Sequence, residues 1–69
     1  MKVAIVGYGK FAPKHLEVLR ALECDVVAAC NRSEAGRTKA IEEGKIPRAY
    51  ATIGELIANE KPDGILCTA

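Results

Sequence analysis

The chain has 69 residues and a formal net charge of +1, with 49% hydrophobic and 4% aromatic residues. That length allows one small domain, and that composition is globular. It gives no electrostatic or base-stacking case for nucleic acid or an anionic membrane surface, and no run approaches the ~20 apolar residues of a membrane span.

Lys2–Val6 is nearly all apolar, which suits a parallel strand covered on both faces. The short run ends in Gly7, so it does not read as a secretory leader. A helix is expected from Lys10 to Leu22, with Ala12, Leu16, Leu19 and Leu22 as its buried stripe and Pro13 in its first turn. Asp25 opens a second strand, carried by Val26–Cys30. Ser33 is a suitable N-cap for a helix from Glu34 to Glu43, stopped by Gly44 and weakened inside by Gly36. Lys45–Arg48 links to a short edge strand at Ala49–Ala51. Thr52 and Glu55 have the spacing of a capping box, opening a third helix that ends near Glu60. Pro62–Gly64 is a turn, and Ile65–Cys67 is a fourth apolar strand.

Strands alternating with helices predict an α/β fold with a parallel sheet and right-handed crossovers. We expect a Rossmann-type sheet of four strands in the order 3-2-1-4. Residues 1–69 would form an incomplete nucleotide-binding domain, the N-terminal part of a longer protein. Such sheets bind ligands beyond the carboxyl ends of their strands.

The organising motif is Gly7-Tyr8-Gly9-Lys10-Phe11-Ala12, a G-x-G-x-x-A turn between strand and helix. Gly7 permits the tight exit from the strand. Gly9 lets a diphosphate approach the main chain, and Ala12 allows close packing of helix on strand. The N–H groups and positive dipole end of that helix then face the phosphates. Tyr8, Lys10 and Phe11 lie in the turn and would meet a dinucleotide mainly through main-chain groups.

Asn31 falls close to the position, ~20 residues beyond the glycines, where NAD-binding proteins carry an acid for the ribose hydroxyls. Asn31 is neutral and does not repel a 2′-phosphate. Arg32 supplies planar donors suited to one, and Ser33 adds a hydroxyl. The expected cofactor is NADP, with NAD second and Arg32 as an ordinary helix-start arginine the alternative. Thr68, at the end of the fourth strand, is a further candidate cofactor contact. His15 is assigned a loop-supporting role. Cys24, Cys30 and Cys67 have no C-x-x-C pairing, so neither a metal site nor a disulfide framework is expected, and buried reduced thiols in a cytoplasmic protein are.

The segments Gly7–His15, Val26–Cys30 with its polar ending, Thr52–Leu56 and Lys61–Thr68 together resemble the cofactor domain of the glucose–fructose oxidoreductase and myo-inositol dehydrogenase (Gfo/Idh/MocA) family. The resemblance covers essentially the whole chain, with Ala12 for the usual third glycine and Asn31 where many members carry an acid. It implies an NAD(P)-dependent oxidoreductase of sugars, polyols or small carbonyl compounds, with a C-terminal domain that binds substrate and mediates homo-oligomers. The family's catalytic lysine lies in a Glu-Lys-Pro motif after a later strand. Glu60-Lys61-Pro62 spells the same letters before the fourth strand and reads as a helix-ending surface segment. No catalytic residue is assigned, because these residues form no nucleophile–base or carboxylate pair. The 69-residue chain alone is expected to lack turnover. The alternatives are a non-catalytic NAD(P)-sensing module and a methyltransferase. The glycine pattern and the lack of an acid ending the second strand disfavour the methyltransferase.

Overall fold

A computed structural model describes residues 1–68. Ala69, the last residue of the expected domain, lies outside the described residues. The elements are β1 (Lys2–Val6), α1 (Ala12–Ala21), β2 (Asp25–Cys30), α2 (Glu34–Glu42), β3 (Arg48–Tyr50), α3 (Ile53–Glu60) and β4 (Gly64–Cys67). The four strands form one parallel sheet in the order β3-β2-β1-β4, the expected topology.

The helices divide between the two faces of the sheet. Ala12 and Leu16 of α1 and Ala40 of α2 pack with Ile5, Tyr8, Val26, Ala29 and Ile46. On the other face, Leu56 of α3 packs with Ala4, Val27, Ala28 and Cys30. The β1–β2 register shifts between Val3 and Ala4, which pair with Val26 and Ala28 and leave Val27 unopposed. Side chains normally alternate faces along a strand. At this bulge Val27 and Ala28 both join the α3 face, which re-phases β2 before its ligand-binding end.

The element boundaries differ from expectation where local hydrogen bonds compete with sequence pattern. Helix α1 begins at Ala12, because the Ala12 N–H donates to the Gly9 carbonyl at 3.2 Å and keeps Lys10 and Phe11 in the turn. It ends at Ala21, and Leu22 is exposed and outside the buried stripe, since Glu23 turns left-handed (φ 61°) and reverses the chain. Strand β3 lies one residue earlier than expected, because its last pair is Cys30 with Tyr50. Ala51 is then free to line the cleft described below.

Gly44 does follow α2, but Lys45 (φ 56°) takes the left-handed conformation. Gly44 is required for space instead: a Cβ there would sit 2.7 Å from both the Ala40 carbonyl and the Tyr8 hydroxyl. Ser33 and Thr52 cap α2 and α3, accepting from the N–H groups of Gly36 and Glu55. Glu55 closes its side of the second cap on the Thr52 hydroxyl at 3.1 Å. Of the cysteines only Cys30 is buried, while Cys24 is half-buried and Cys67 is exposed on β4. The expected burial of all three fails for Cys67 because β4 is an edge strand among the described residues, and for Cys24 because it lies in the turn between α1 and β2.

Candidate functional site

At the carboxyl ends of β1, β2 and β3 lies a cleft of about 630 Å³, lined by Val6, Gly7, Cys30, Asn31, Arg32, Ala51, Thr52 and Ile53. Its position follows from topology: parallel strands deliver their carboxyl ends to one edge, where the loops diverge. Gly7, Asn31 and Arg32 of the sequence candidates meet here. The contribution of residues 51–53 was missed, although the short strand before them was itself a signal that the next turn reaches the ligand edge.

The glycine turn has the two properties its spacing implies. Gly7 has φ 90°, a conformation that side chains resist, and its N–H donates to the Cys30 carbonyl at 2.7 Å, tying the turn to β2. At Gly9 an added Cβ would meet nothing within 4 Å, so the main chain is open to close approach. Helix α1 then starts without a side-chain cap and without an acidic residue in its first turn, in contrast to the Ser33 and Thr52 caps of α2 and α3. The N–H groups of Ala12, Lys14 and His15 donate to the Gly9 and Phe11 carbonyls, whereas among the described residues those of Gly9, Lys10 and Phe11 in the turn have no backbone acceptor. Open turn donors at the positive end of a ten-residue helix, with no carboxylate competing, form a setting that favours an anion. The residues present therefore fit a bound dinucleotide diphosphate.

The other turn residues divide by side chain. Tyr8 is 5% exposed and belongs to the core under α1 and α2; burial first, and Glu43 second, push its phenol above the usual range. Ala12 is buried, as close helix–strand packing requires. Phe11 is 67% exposed, with the Lys10 ammonium 5.9 Å from its ring centre. Thr68 is turned to the scaffold: its hydroxyl lies against the carbonyls of Val6 and Gly7 and its N–H donates to Val6 at 2.9 Å. It buttresses the glycine turn from β4. His15 is exposed on α1, one turn past the glycines. Burial raises the Cys30 thiol pKa, with Glu55 adding to the effect, so at the cleft wall it is a packing group.

The β2–α2 turn is tightly bonded. The Asn31 side-chain amide donates to Ser33 Oγ at 3.0 Å, and the Gly36 N–H donates to the same oxygen at 3.0 Å. The Asn31 N–H donates to the Tyr50 carbonyl at 2.9 Å, which anchors the turn to β3. Arg37 belongs to no motif in the sequence. Its Nη1 donates to the carbonyls of Asn31 at 2.8 Å and Arg32 at 2.7 Å. Among the described residues no group of three or more His, Cys, Asp or Glu side chains could hold a metal, and no helix is long and apolar enough to cross a membrane.

Residues 1–68 match the family model described as oxidoreductase family, NAD-binding Rossmann fold (Gfo/Idh/MocA). The chain belongs to this family. No curated protein sequence matches it. Among solved structures, myo-inositol 2-dehydrogenase from Lactobacillus plantarum is 25% identical with a TM-score of 0.86, over 100% of this chain and 21% of that one. An oxidoreductase from Agrobacterium radiobacter, in complex with NAD+, L-tartaric acid and magnesium, is 21% identical with a TM-score of 0.90, over 100% and 20%. Scyllo-inositol dehydrogenase from Lactobacillus casei, with bound NAD(H) and scyllo-inositol, is 17% identical with a TM-score of 0.85, over 100% and 21%. The chain thus spans about a fifth of the length of the family structures it matches. It corresponds to their N-terminal, cofactor-binding part.

Proposed function

We propose that this chain binds NADP(H), in preference to NAD(H), as part of an oxidoreductase acting on a sugar, polyol or small carbonyl compound. The observation that carries the reading is the cleft itself, which brings the glycine turn, a neutral Asn31 and the exposed guanidinium of Arg32 to one wall. The main-chain N–H groups of Gly9, Lys10 and Phe11 would hold the diphosphate. Arg32 and the Ser33 hydroxyl would hold the adenosine 2′-phosphate, because Ser33 Oγ accepts from Asn31 and Gly36 and keeps its own proton to donate. The cofactor supplies the hydride chemistry. Two of the relatives above are in complex with NAD; the preference for NADP rests on this chain's own residues at the end of β2.

A hydrogen bond to a charged group contributes roughly 1.5–3 kcal/mol, or about ten- to a hundredfold in affinity. Exposure of Arg32 places the effect toward the lower end. Arg32→Ala should weaken NADPH binding by about tenfold and leave NADH nearly unchanged. Asn31→Asp adds repulsion toward the phosphate and an acceptor for the ribose, so the double variant should prefer NADH. Titrating both reduced cofactors at fixed low salt tests this. Equal affinities in wild type that Arg32→Ala does not alter would return Arg32 to an ordinary helix-start arginine.

A further inference from the structure

The turn that presents Arg32 is held from behind by one side chain. A single nitrogen of Arg37, one turn into α2, donates to the carbonyls of both Asn31 and Arg32. A trans peptide points its C=O and N–H in opposite directions, and no peptide here is cis. Two carbonyls converging on Arg37 therefore direct the N–H groups of Arg32 and Ser33 away from it. The same contact fixes the backbone from which the Arg32 side chain departs. Arg37 is half-buried and Arg32 exposed, and Arg32, not Arg37, lines the cleft.

We propose that Arg37 is a positioning residue for cofactor selection: by holding both carbonyls of the β2–α2 turn it sets how Arg32 meets the adenosine 2′-phosphate, without touching the cofactor. This rests on the NADP reading above. If the turn were not held, the two carbonyls could rotate toward the cleft and oppose an anion, and Arg32 would have to be ordered at the moment of binding.

The test measures dissociation constants for NADPH and NADH on the full chain by nicotinamide fluorescence, with circular dichroism establishing which variants fold. Arg37→Met should weaken NADPH about five- to tenfold and leave NADH within about twofold. Arg37→Lys, whose one ammonium can donate to both carbonyls, should recover most of that loss and cost only about two- to threefold. In an Arg32→Ala background, Arg37→Met should not change the NADPH:NADH ratio further. Equal loss of both cofactors, an unchanged ratio in Arg37→Met, or a further change in the Arg32→Ala background would overturn the proposal. If Arg37→Met does not fold, Arg37→Gln, whose shorter side chain cannot hold both carbonyls, decides, and a wild-type ratio there overturns it. An Arg32→Ala ratio equal to wild type sinks the NADP reading and this inference together. A selective Arg32→Ala with an indifferent Arg37→Met sinks only the inference.

Discussion

Single atoms decide much of this site, and the glycines show it in opposite ways. Gly7 is needed for its backbone: at φ 90° a side chain would add strain of roughly 1–3 kcal/mol. Gly9 has no such conformation, and its Cβ direction is open. A methyl group at Gly9 should therefore leave the fold alone and obstruct only what comes close to the turn. We predict that Gly9→Ala keeps the wild-type unfolding midpoint within about 0.5 kcal/mol while NADPH and NADH binding both fall at least about tenfold. Gly7→Ala should lose stability as well as binding. Denaturant melts and cofactor titrations on both variants check this, and wild-type binding by Gly9→Ala would show that no diphosphate crosses that turn. Gly36 has a third role. Its absent Cβ is where the Asn31 amide sits, since an added carbon would lie 1.5 Å from Asn31 Nδ2. The residue that looked like a flaw in α2 makes room for the inward-turned Asn31.

Elements were legible in the sequence to the extent that their signals were local. The apolar runs of β1 and β2, the glycine turn and the Ser33 and Thr52 caps each depend on neighbouring residues, and all seven elements appear in the expected order. What escaped reading depends on partners far along the chain. Arg37 meets its carbonyls only once β2 and α2 are both built, and Leu22 looked buried by periodicity until Glu23 ended the helix. The largest such case ties β3 to α3. Arg48 donates through Nη2 to Glu60 Oε1 at 2.8 Å and through Nε to Oε2, while the Tyr50 hydroxyl donates to Oε2 at 2.5 Å. The Glu60-Lys61-Pro62 segment ends α3, as the sequence suggested, with Lys61 in the left-handed region. Its carboxylate also latches the edge strand whose Tyr50 carbonyl anchors Asn31. The hydrogen bonds from Arg48 and Tyr50 hold Glu60 down to about 2, against an ordinary 4.5. A carboxyl whose folded pKa is depressed contributes stability that is complete above about 4.5 and lost as the pH falls toward about 2. Glu60→Gln should be less stable at pH 7, by no more than about 1 kcal/mol for so exposed an arginine partner. It should also lose less than wild type on acidification, so the two converge only as the pH falls toward about 2. Urea midpoints across that range test it, and parallel curves would mean the latch contributes nothing in solution.

The whole molecule is a thin core with one vulnerable border. Among the described residues the largest side chains less than 2% exposed are Ile5, Ile46 and Leu56, and the crowded centre of the sheet is built from Ala4, Ala28 and Ala29. Small side chains let helices lie close to the strands, but they bury little apolar area, so the margin against unfolding is small for a domain of this size. Among the described residues the sheet has two borders, β3 and β4. Strand β3 is three residues long and latched by Arg48, Tyr50 and Glu60, and charged side chains and short strands are how natural sheets blunt an edge. Strand β4 has no such protection. It reads Gly-Ile-Leu-Cys, with Ile65 43% exposed and Cys67 also exposed. Its inner side is paired with β1 from Val3 to Val6, which leaves the outer row of backbone groups facing outward. An apolar, unpaired edge of this kind templates strand addition. We predict that the 69-residue chain in isolation associates with itself through β4 at micromolar to millimolar concentration under reducing conditions. Ile65→Lys, which places a charge on the exposed side of that strand without touching the core, should shift it toward monomer. Sedimentation velocity over a hundredfold range of concentration distinguishes the outcomes. Wild type that remains monomeric throughout would show that the latch side and a twisted short edge are protection enough, and association unaffected by Ile65→Lys would place the contact elsewhere.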